Sequence, residues 1–543
     1  MKLVNVAEMR AIEQEADANG ITYAQMMENA GIGLSKIILE VVYDEDEKPS
    51  IVGLVGPGNN GGDALVALAH LAAQDWQVRA YLVNRSADND PLVDRLRQTG
   101  GEITFANSDE RFEMLTAFIS SAAVVVDGIL GIGFKLPLKG EITNVLRATN
   151  RAIAELEWPP FVIAVDCPSG VNCDTGEAAE DAIPASITVT MAAVKHGLIK
   201  FPAFDLVGDL RVVDIGLTNE IKSWTDIRHQ VADNDLVEEI LPERPDDSHK
   251  GTFGTVMIAA GSINYTGAAM LAGKAAYRVG AGLVRMAVPG PLHSILAGHF
   301  PEATWVMLPH EMGAISSEAG DVLLKNLDRV KGLLIGPGIG SEDTTRNFFE
   351  NLIKGKQTIK KSGTRIGFVH EDKSKADRES NILPSLVIDA DGLRFLAKIE
   401  GWEKVLPGSS ILTPHLGEMS ELTGLNIDEI KSDRLGVAER YAKLWKQIVV
   451  LKGAFTVVAS QDGRITVIPV ATSALARAGT GDVLAGIIVG LLAQGVEPYG
   501  AAVAGAWIHA QAGLFASERV GNSASVMAGD VVDSISDVLV GLV

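Results

Sequence analysis

From Ser50 onward, short apolar runs alternate with helical patterns. IVGLV is followed by a helix over DALVALAHLAAQ, then VRAYLV, and later AVVVDGIL, FVIAVD and SITVTM. Runs of this length without polar alternation read as strands buried on both faces. Helices between them supply the parallel crossovers, so the spacing predicts a doubly wound α/β sheet. Residues 5 to 42 read as helices packed onto that sheet. A second alternating series begins at GTVMIAAGS and runs through GAAMLAGKAAYRVGAG, LVRMAV, GLLIGPGIG, SLVIDADGL, SSILTPH, IVVLKG and FTVVAS. It closes with long helices from Asp482 to about 494 and from Gly500 to about 517. Between the two series, KSWTDIRHQVADNDLVEEILPERPDDSHKG loses the periodicity and carries three acidic clusters and two prolines. The chain of 543 residues is also longer than one core usually supports. The expected division is a first α/β domain at 1–222, a linker at 223–240 and a second α/β domain at 241–543. Residues 354–381, rich in both charges and poor in apolar side chains, read as a solvated insertion loop.

The formal charge of −22, from 47 basic and 69 acidic residues, leaves no basic face for nucleic acid or an anionic membrane. Anionic ligands must therefore be held by local backbone geometry. The N-terminus lacks the apolar core of a signal peptide, and no later run is apolar for the roughly 18 residues a membrane span needs. A cytoplasmic protein is expected. Cys167 and Cys173 lack companions at metal spacing and read as free thiols without a role. The small-residue face GAAMLAGKAA fits close packing, either between subunits, which makes a homo-oligomer the expectation, or of a helix onto its own sheet.

Two glycine-rich turns carry the chemistry. GPGNNG, at 56–61, follows a strand and opens a helix, the setting of a Rossmann-like dinucleotide turn. The usual acidic residue about 20 positions on is replaced by Asn84-Arg85-Ser86, which disfavours an ordinary NAD-dependent hydride transfer. Instead Asn59, Asn60 and Asp63 bring two amides and a carboxylate to the helix entrance. Asp127, Asp166 and Ser169 stand at other strand ends, where open α/β sheets hold ligands. Asn60, Asp127 and Ser169 supply oxygens that suit a hard cation, or else cap their loops.

The second turn, Ala478-Gly479-Thr480-Gly481-Asp482, precedes an apolar helix. Its amides suit a transferring phosphoryl group, with Asp482 as general base; a plain helix cap is the alternative. Lys452 in LKGAFT suits a nucleotide, His415 and Glu418 in TPHLGE sit at a strand end, and Gly336 to Gly340 form a third close-approach turn.

YAQMMENAG, GPGNNGGDALVAL, DGILGIGFKLPLKG and VDCPSGVNCDTGE resemble the YjeF N-terminal NAD(P)H-hydrate epimerase domain over residues 1 to about 220. The resemblance implies that Asn59, Asn60, Gly61, Gly62, Asp63, the loop Gly131, Ile132, Gly133, Phe134, Lys135, Leu136 and Pro137, and Asp166 hold the hydrated dinucleotide. It implies potassium on Asn60, Asp127 and Ser169. It matches Lys195 to a lysine of the family, otherwise a surface lysine; since epimerisation needs only polar groups that ease opening and reclosing of the hydrate, Asp166 is the expected proton shuttle. HKGTFGTVMIAAGS, YTGAAMLAGKAAYRVGAGLV and VIDADGL, with the second turn, resemble the ribokinase-like ADP- or ATP-dependent NAD(P)H-hydrate dehydratase from about 235 to 540. Here ARAGTGD stands where the family often reads TGGTGD, and TPHLGE where it reads TPHPGE. The implied hydrate contacts are Ala268, Gly340, His415 and Asp482. The implied nucleotide contacts are Lys452, Gly453, Ala454, Phe455, Thr456 and Gly481, with magnesium on the phosphates. Small-molecule hydrates and ADP or ATP are the implied partners. A vitamin-precursor kinase with an N-terminal interaction module is the alternative.

Overall fold

The computed structural model describes residues 1–42, 49–355 and 383–542. Most of the expected insertion at 354–381 lies outside them. Two compact units divide the chain, Met1–Val231 and Ala232–Val543.

The first unit is built on a seven-stranded, all-parallel sheet. The strand Ser50–Val55 is central. Gln77–Leu82 and Glu102–Phe105 follow on one side of it, and Val124–Gly128, Phe161–Val165, Ile187–Met191 and Asp209–Val213 on the other. The winding reverses between Ser50–Val55 and Val124–Gly128, and at such a reversal the loops diverge and leave a crevice beyond the strand ends. Helices Val6–Ala18, Tyr23–Val41 and Asn59–Ala72 cover one face with a core of Leu34, Ile38, Leu65 and Leu68. Helices Glu113–Ser121 and Glu141–Ala154 cover the other through Leu115, Phe118, Val145 and Leu146. A short parallel pair, Leu3–Val4 with Val194–Lys195, sets Val4 beside Lys195 and starts the first helix next to that lysine.

In the second unit the strand Thr255–Ala259 is flanked by Leu283–Pro289 and Thr304–Leu308 on one side. On the other run Gly332–Ile335, Ser385–Ile388, Ile411–Leu412 and Ile448–Leu451, all parallel. Two antiparallel strands, Val457–Ala459 and Ile465–Val467, extend that side. Helices Thr266–Arg278, Thr480–Ala493, Pro498–Val520 and Ala528–Val540 cover one face, and Asp343–Ile353 and Arg434–Trp445 are among those on the other. This is the expected α/β/α layering. The small-residue face of Thr266–Arg278 is used inside the unit: a Cβ on Gly486 of the neighbouring helix would stand 2.3 Å from the Ala272 carbonyl oxygen. The close packing it signalled is therefore that of a helix on its own neighbour. Among the described residues no helix is long and apolar enough to cross a membrane.

Candidate active sites

The first crevice lies where the winding of the first sheet reverses. The helix Asn59–Ala72 starts at Gly58 with no side-chain cap, so its first amides face outward. Asn60 is buried and donates through Nδ2 to the Leu130 carbonyl at 3.0 Å and to the Val165 carbonyl. Its Oδ1 lies 2.3 Å from where a Cβ on residue 131 would stand, which requires Gly131 there. The Leu130 amide in turn donates to Ser169 Oγ at 2.9 Å, and Ser169 Oγ donates to Asp127 Oδ1 at 2.5 Å. Asn60, Asp127 and Ser169 are thus brought together around Leu130. Asp127 is fully buried, and burial raises its pKa against the hydrogen bonds from Ser169 and Ile129.

Asp166 sits at φ +62°, a left-handed conformation, just past its strand. Its Oδ1 accepts from Thr190 Oγ1 at 3.0 Å, from the Met191 amide at 3.1 Å and from the Lys195 ammonium. Lys195 is 1% exposed, so the surface-lysine alternative is corrected: its strand runs beside Leu3–Val4 and is covered there. Asp63 is buried behind the turn, and desolvation together with Asp166 and Glu13 pushes its carboxyl well up. A cavity of about 350 Å³ in front of these groups is lined by Gly58, Asn59, Asn60, Gly131, Ile132, Gly133 and Phe134. Arg10 and Glu13 line it too. Lys135, Leu136 and Pro137 continue the loop beyond the lining.

The second site centres on one lysine among carboxylates. Lys452 Nζ lies 2.7 Å from Asp389 Oδ1 and 3.7 Å from Glu418 Oε2. Burial alone would lower the lysine's pKa, but Asp389 and Glu418 outweigh it and the net shift is upward. Thr413 Oγ1 donates to the same Asp389 oxygen at 2.8 Å. Asp482, in the first turn of helix Thr480–Ala493, is pushed up to about 7 by desolvation and by Asp389 and Asp391, against the pull of Lys452. Burial likewise raises Glu418 and Asp391. Several carboxylates crowded around one ammonium cannot all ionise, and the proton stays where solvent is least accessible. His415 caps its own helix: Nδ1 accepts from the Gly417 and Glu418 amides at 3.0 and 3.1 Å, while Nε2 lies 3.3 Å from Glu418 Oε1.

A cavity of about 580 Å³ opens beside this cluster. Lys452, Gly453, Ala454, Thr456, Thr480, Gly481 and His415 line its polar side; Ile468, Val470, Leu475 and Leu484 line the apolar side. Phe455 belongs to the same turn without lining the cavity. Arg434 braces that turn from behind, donating to the carbonyls of Ala454 at 2.6 Å, Leu451 at 3.0 Å and Lys452 at 3.3 Å. Ala268 lies against Gly338, and the Gly340 amide donates to Asp391 Oδ2 at 3.0 Å, so these two expected contacts gather at a separate glycine turn. Asp482 feels charges on both sides, Lys452 and Asp389 at the cavity and Asp391 at the glycine turn.

Comparison with known proteins decides the family. The family model for NAD(P)H-hydrate dehydratase matches residues 256–536, and that for the YjeF-related protein N-terminus matches 23–197. The bifunctional NAD(P)H-hydrate repair enzyme of Moorella thermoacetica is 35% identical, over 99% of this chain and 97% of the relative. The chain belongs to the bifunctional NAD(P)H-hydrate repair enzymes. A second member, from Salinibacter ruber, is 33% identical over 95% of this chain and 92% of its own length. Among solved structures, the ADP/ATP-dependent NAD(P)H-hydrate dehydratase from Bacillus subtilis, co-crystallised with ATP and Mg2+, is 26% identical. It covers 58% of this chain and 99% of its own, at a TM-score of 0.45.

For a member of this repair family, several groups at the two sites carry little signal in the sequence. Arg10 and Glu13 are charges on an N-terminal helix read as packed onto the sheet, with no reading of their own; the signal is their place beside the buried Met9, Ile12 and Ala16. Asp389 obeys the same strand-end rule as Asp127. Arg434 and the buried His509, which also lines the larger cavity, have no local signature.

Proposed function

We infer that this chain repairs hydrated NADH and NADPH in two reactions: epimerisation of the R and S hydrates in the first unit, and nucleotide-dependent dehydration of the S hydrate in the second. The observation that carries the reading is the pairing, on one chain of this family, of an amide-lined crevice backed by Asp63, Asp166 and Lys195 with a cavity bordered by Lys452 and Gly481, next to the Asp482 carboxyl.

In the second site the hydroxyl of the hydrate is a poor leaving group. Asp482, poised near neutrality, takes the hydroxyl proton as the oxygen attacks the terminal phosphoryl group of ADP or ATP. AMP or ADP departs, the phosphate ester then leaves with loss of a ring proton, and the dihydronicotinamide is restored. The Gly481 amide, in the first turn of helix Thr480–Ala493, and the Lys452 ammonium face the phosphates. Magnesium, when bound, neutralises phosphate charge; Asp389 and Asp482 are the carboxylates at hand, in keeping with a metal held mostly by phosphates. Apolar Ile468, Val470, Leu475 and Leu484 suit the base, with Gly453, Ala454, Phe455 and Thr456 along the AMP portion. Ala268, Gly340 and His415 are the proposed hydrate contacts.

In the first site Asn59 to Asp63 and Gly131 to Pro137 are proposed to hold the hydrate, and Asp166 to move a proton. The fit of potassium is supported by the Asp127 carboxylate and the Ser169 hydroxyl, hard oxygen donors brought beside Asn60, whose Nδ2 donates to the Leu130 and Val165 carbonyls. A cytoplasmic setting and self-association complete the proposal, the latter through surfaces other than the small-residue face already covered. The test is incubation of purified S hydrate with the chain, magnesium and ADP or ATP. One inorganic phosphate per NADH formed supports the reading; a stable phosphorylated product would replace it with a kinase.

A further inference from the structure

We propose that Glu13 is a second catalytic residue of epimerisation, exchanging protons with the hydrate opposite Asp166. This rests on the reading of the first crevice as the epimerase site.

Of the carboxyls behind that crevice, Asp166 is the one that keeps an oxygen for a ligand. Asp63 is buried behind the glycine turn, and one oxygen of Asp166 is filled by Thr190, Met191 and Lys195. Among the residues lining the cavity, the ionisable ones are Arg10 and Glu13. They stand three positions apart on helix Val6–Ala18, one turn along the same face, so both reach the same opening. The helix is held in place by the capping box of Asn5 and Glu8 and by burial of Met9, Ile12 and Ala16. Among the described residues no hydrogen bond or ion pair engages the Glu13 carboxyl, which leaves it available to a ligand. Burial raises its pKa and Asp166 adds to this, while Lys195 and Arg10 oppose it.

Inverting the hydrated carbon needs one proton given and one taken. Protonated Glu13 gives its proton to the departing ring hydroxyl as the C–O bond breaks and the ring-nitrogen lone pair forms C=N. Water then adds on the opposite face, forming the new C–O bond, and its proton passes to Asp166. The reverse reaction exchanges the roles, so charge and atoms balance in both directions and no redox partner is required.

The experiment uses the full chain and each purified epimer of NADH hydrate, with no nucleotide present. Glu13→Gln is expected to lower kcat for R-to-S and S-to-R conversion equally, on the order of 100-fold, with KM little changed and the final epimer ratio unaltered. Glu13→Asp is expected to recover part of that rate. Wild-type kcat in Glu13→Gln, or a rise in KM alone, overturns the proposal. If Glu13→Gln does not fold, a wild-type kcat in Glu13→Asp overturns it and a reduced kcat with unchanged KM supports it. Failure of the wild-type chain to interconvert the epimers would instead refute the epimerase reading beneath it.

Discussion

Replacing Asp482 by asparagine is expected to stabilise the second unit while removing its activity. The carboxyl moves from an ordinary pKa of 3.8 to about 7 on folding, driven by desolvation and the neighbouring Asp389 and Asp391. A raised folded-state pKa on an acid favours folding most below the unfolded value, and the advantage is lost as pH rises through the folded value. The wild-type chain therefore carries a growing penalty between about pH 4 and about pH 7 that stays constant above. At roughly 1.36 kcal/mol per pKa unit the full penalty is about 4 kcal/mol at pH 8. Partial solvent access beside the cavity and the amide's own hydrogen-bonding needs reduce the expected gain to about 2 kcal/mol. At about 2.1 cal/mol/K of unfolding entropy per residue, that corresponds to a rise of roughly 3 °C in the melting temperature of the unit Ala232–Val543. Scanning calorimetry of both chains at pH 5 and pH 8 reads it directly, with the larger gain at pH 8. The same variant is expected to dehydrate S hydrate about 100- to 10,000-fold more slowly. An equal or lower melting temperature at pH 8, or wild-type dehydration, would refute the account of this carboxylate.

Wild-type dehydration should rise with pH through a midpoint near 7, where burial and the neighbouring carboxylates put Asp482, and become flat in the Asp482→Asn background. Arg434→Leu removes the three donors bracing the Lys452 turn and should raise the KM for ADP or ATP about tenfold with a smaller change in kcat; an unchanged KM would show the turn is held by other contacts. Asp166→Asn breaks the buried pair with Lys195 and should lower epimerisation by at least about 100-fold, read by chromatography of the two epimers. If Asn60, Asp127 and Ser169 hold a cation, epimerisation should depend on potassium and Asp127→Asn should weaken that dependence; equal rates in potassium-free buffer would remove the cation from the site.

What the sequence made legible were groups at the ends of buried strands. Asp127, Asp166 and Ser169 follow apolar runs, and the reversal of winding beside Ser50–Val55 brings them into one crevice. The same rule reaches Asp389, but its partner Lys452 lies 63 positions away and becomes a neighbour only through sheet order. Glu13 escaped because a charge on a helix usually faces water; the strand pairing of Val4 with Lys195 and the Val6 amide's bond to Asp174, both distant in sequence, set that helix beside the crevice. His509, inside helix Pro498–Val520, and Arg434, the first residue of helix Arg434–Trp445, have nothing nearby in the chain that marks them. The expected linker at 223–240 holds ordered elements instead, the strand His229–Val231 and the helix Asn234–Ile240, because Val231 and Val237 are buried despite the acidic residues between them.

The most direct measurement of the central claim follows recovery of NADH absorbance near 340 nm from an equal mixture of both hydrate epimers, with magnesium and ADP or ATP. The wild-type chain is predicted to recover all of the cofactor, and Asp166→Asn to stop near the point where the S epimer is exhausted. Recovery by the wild-type chain that stops at that same point would contradict the presence of both activities on this chain.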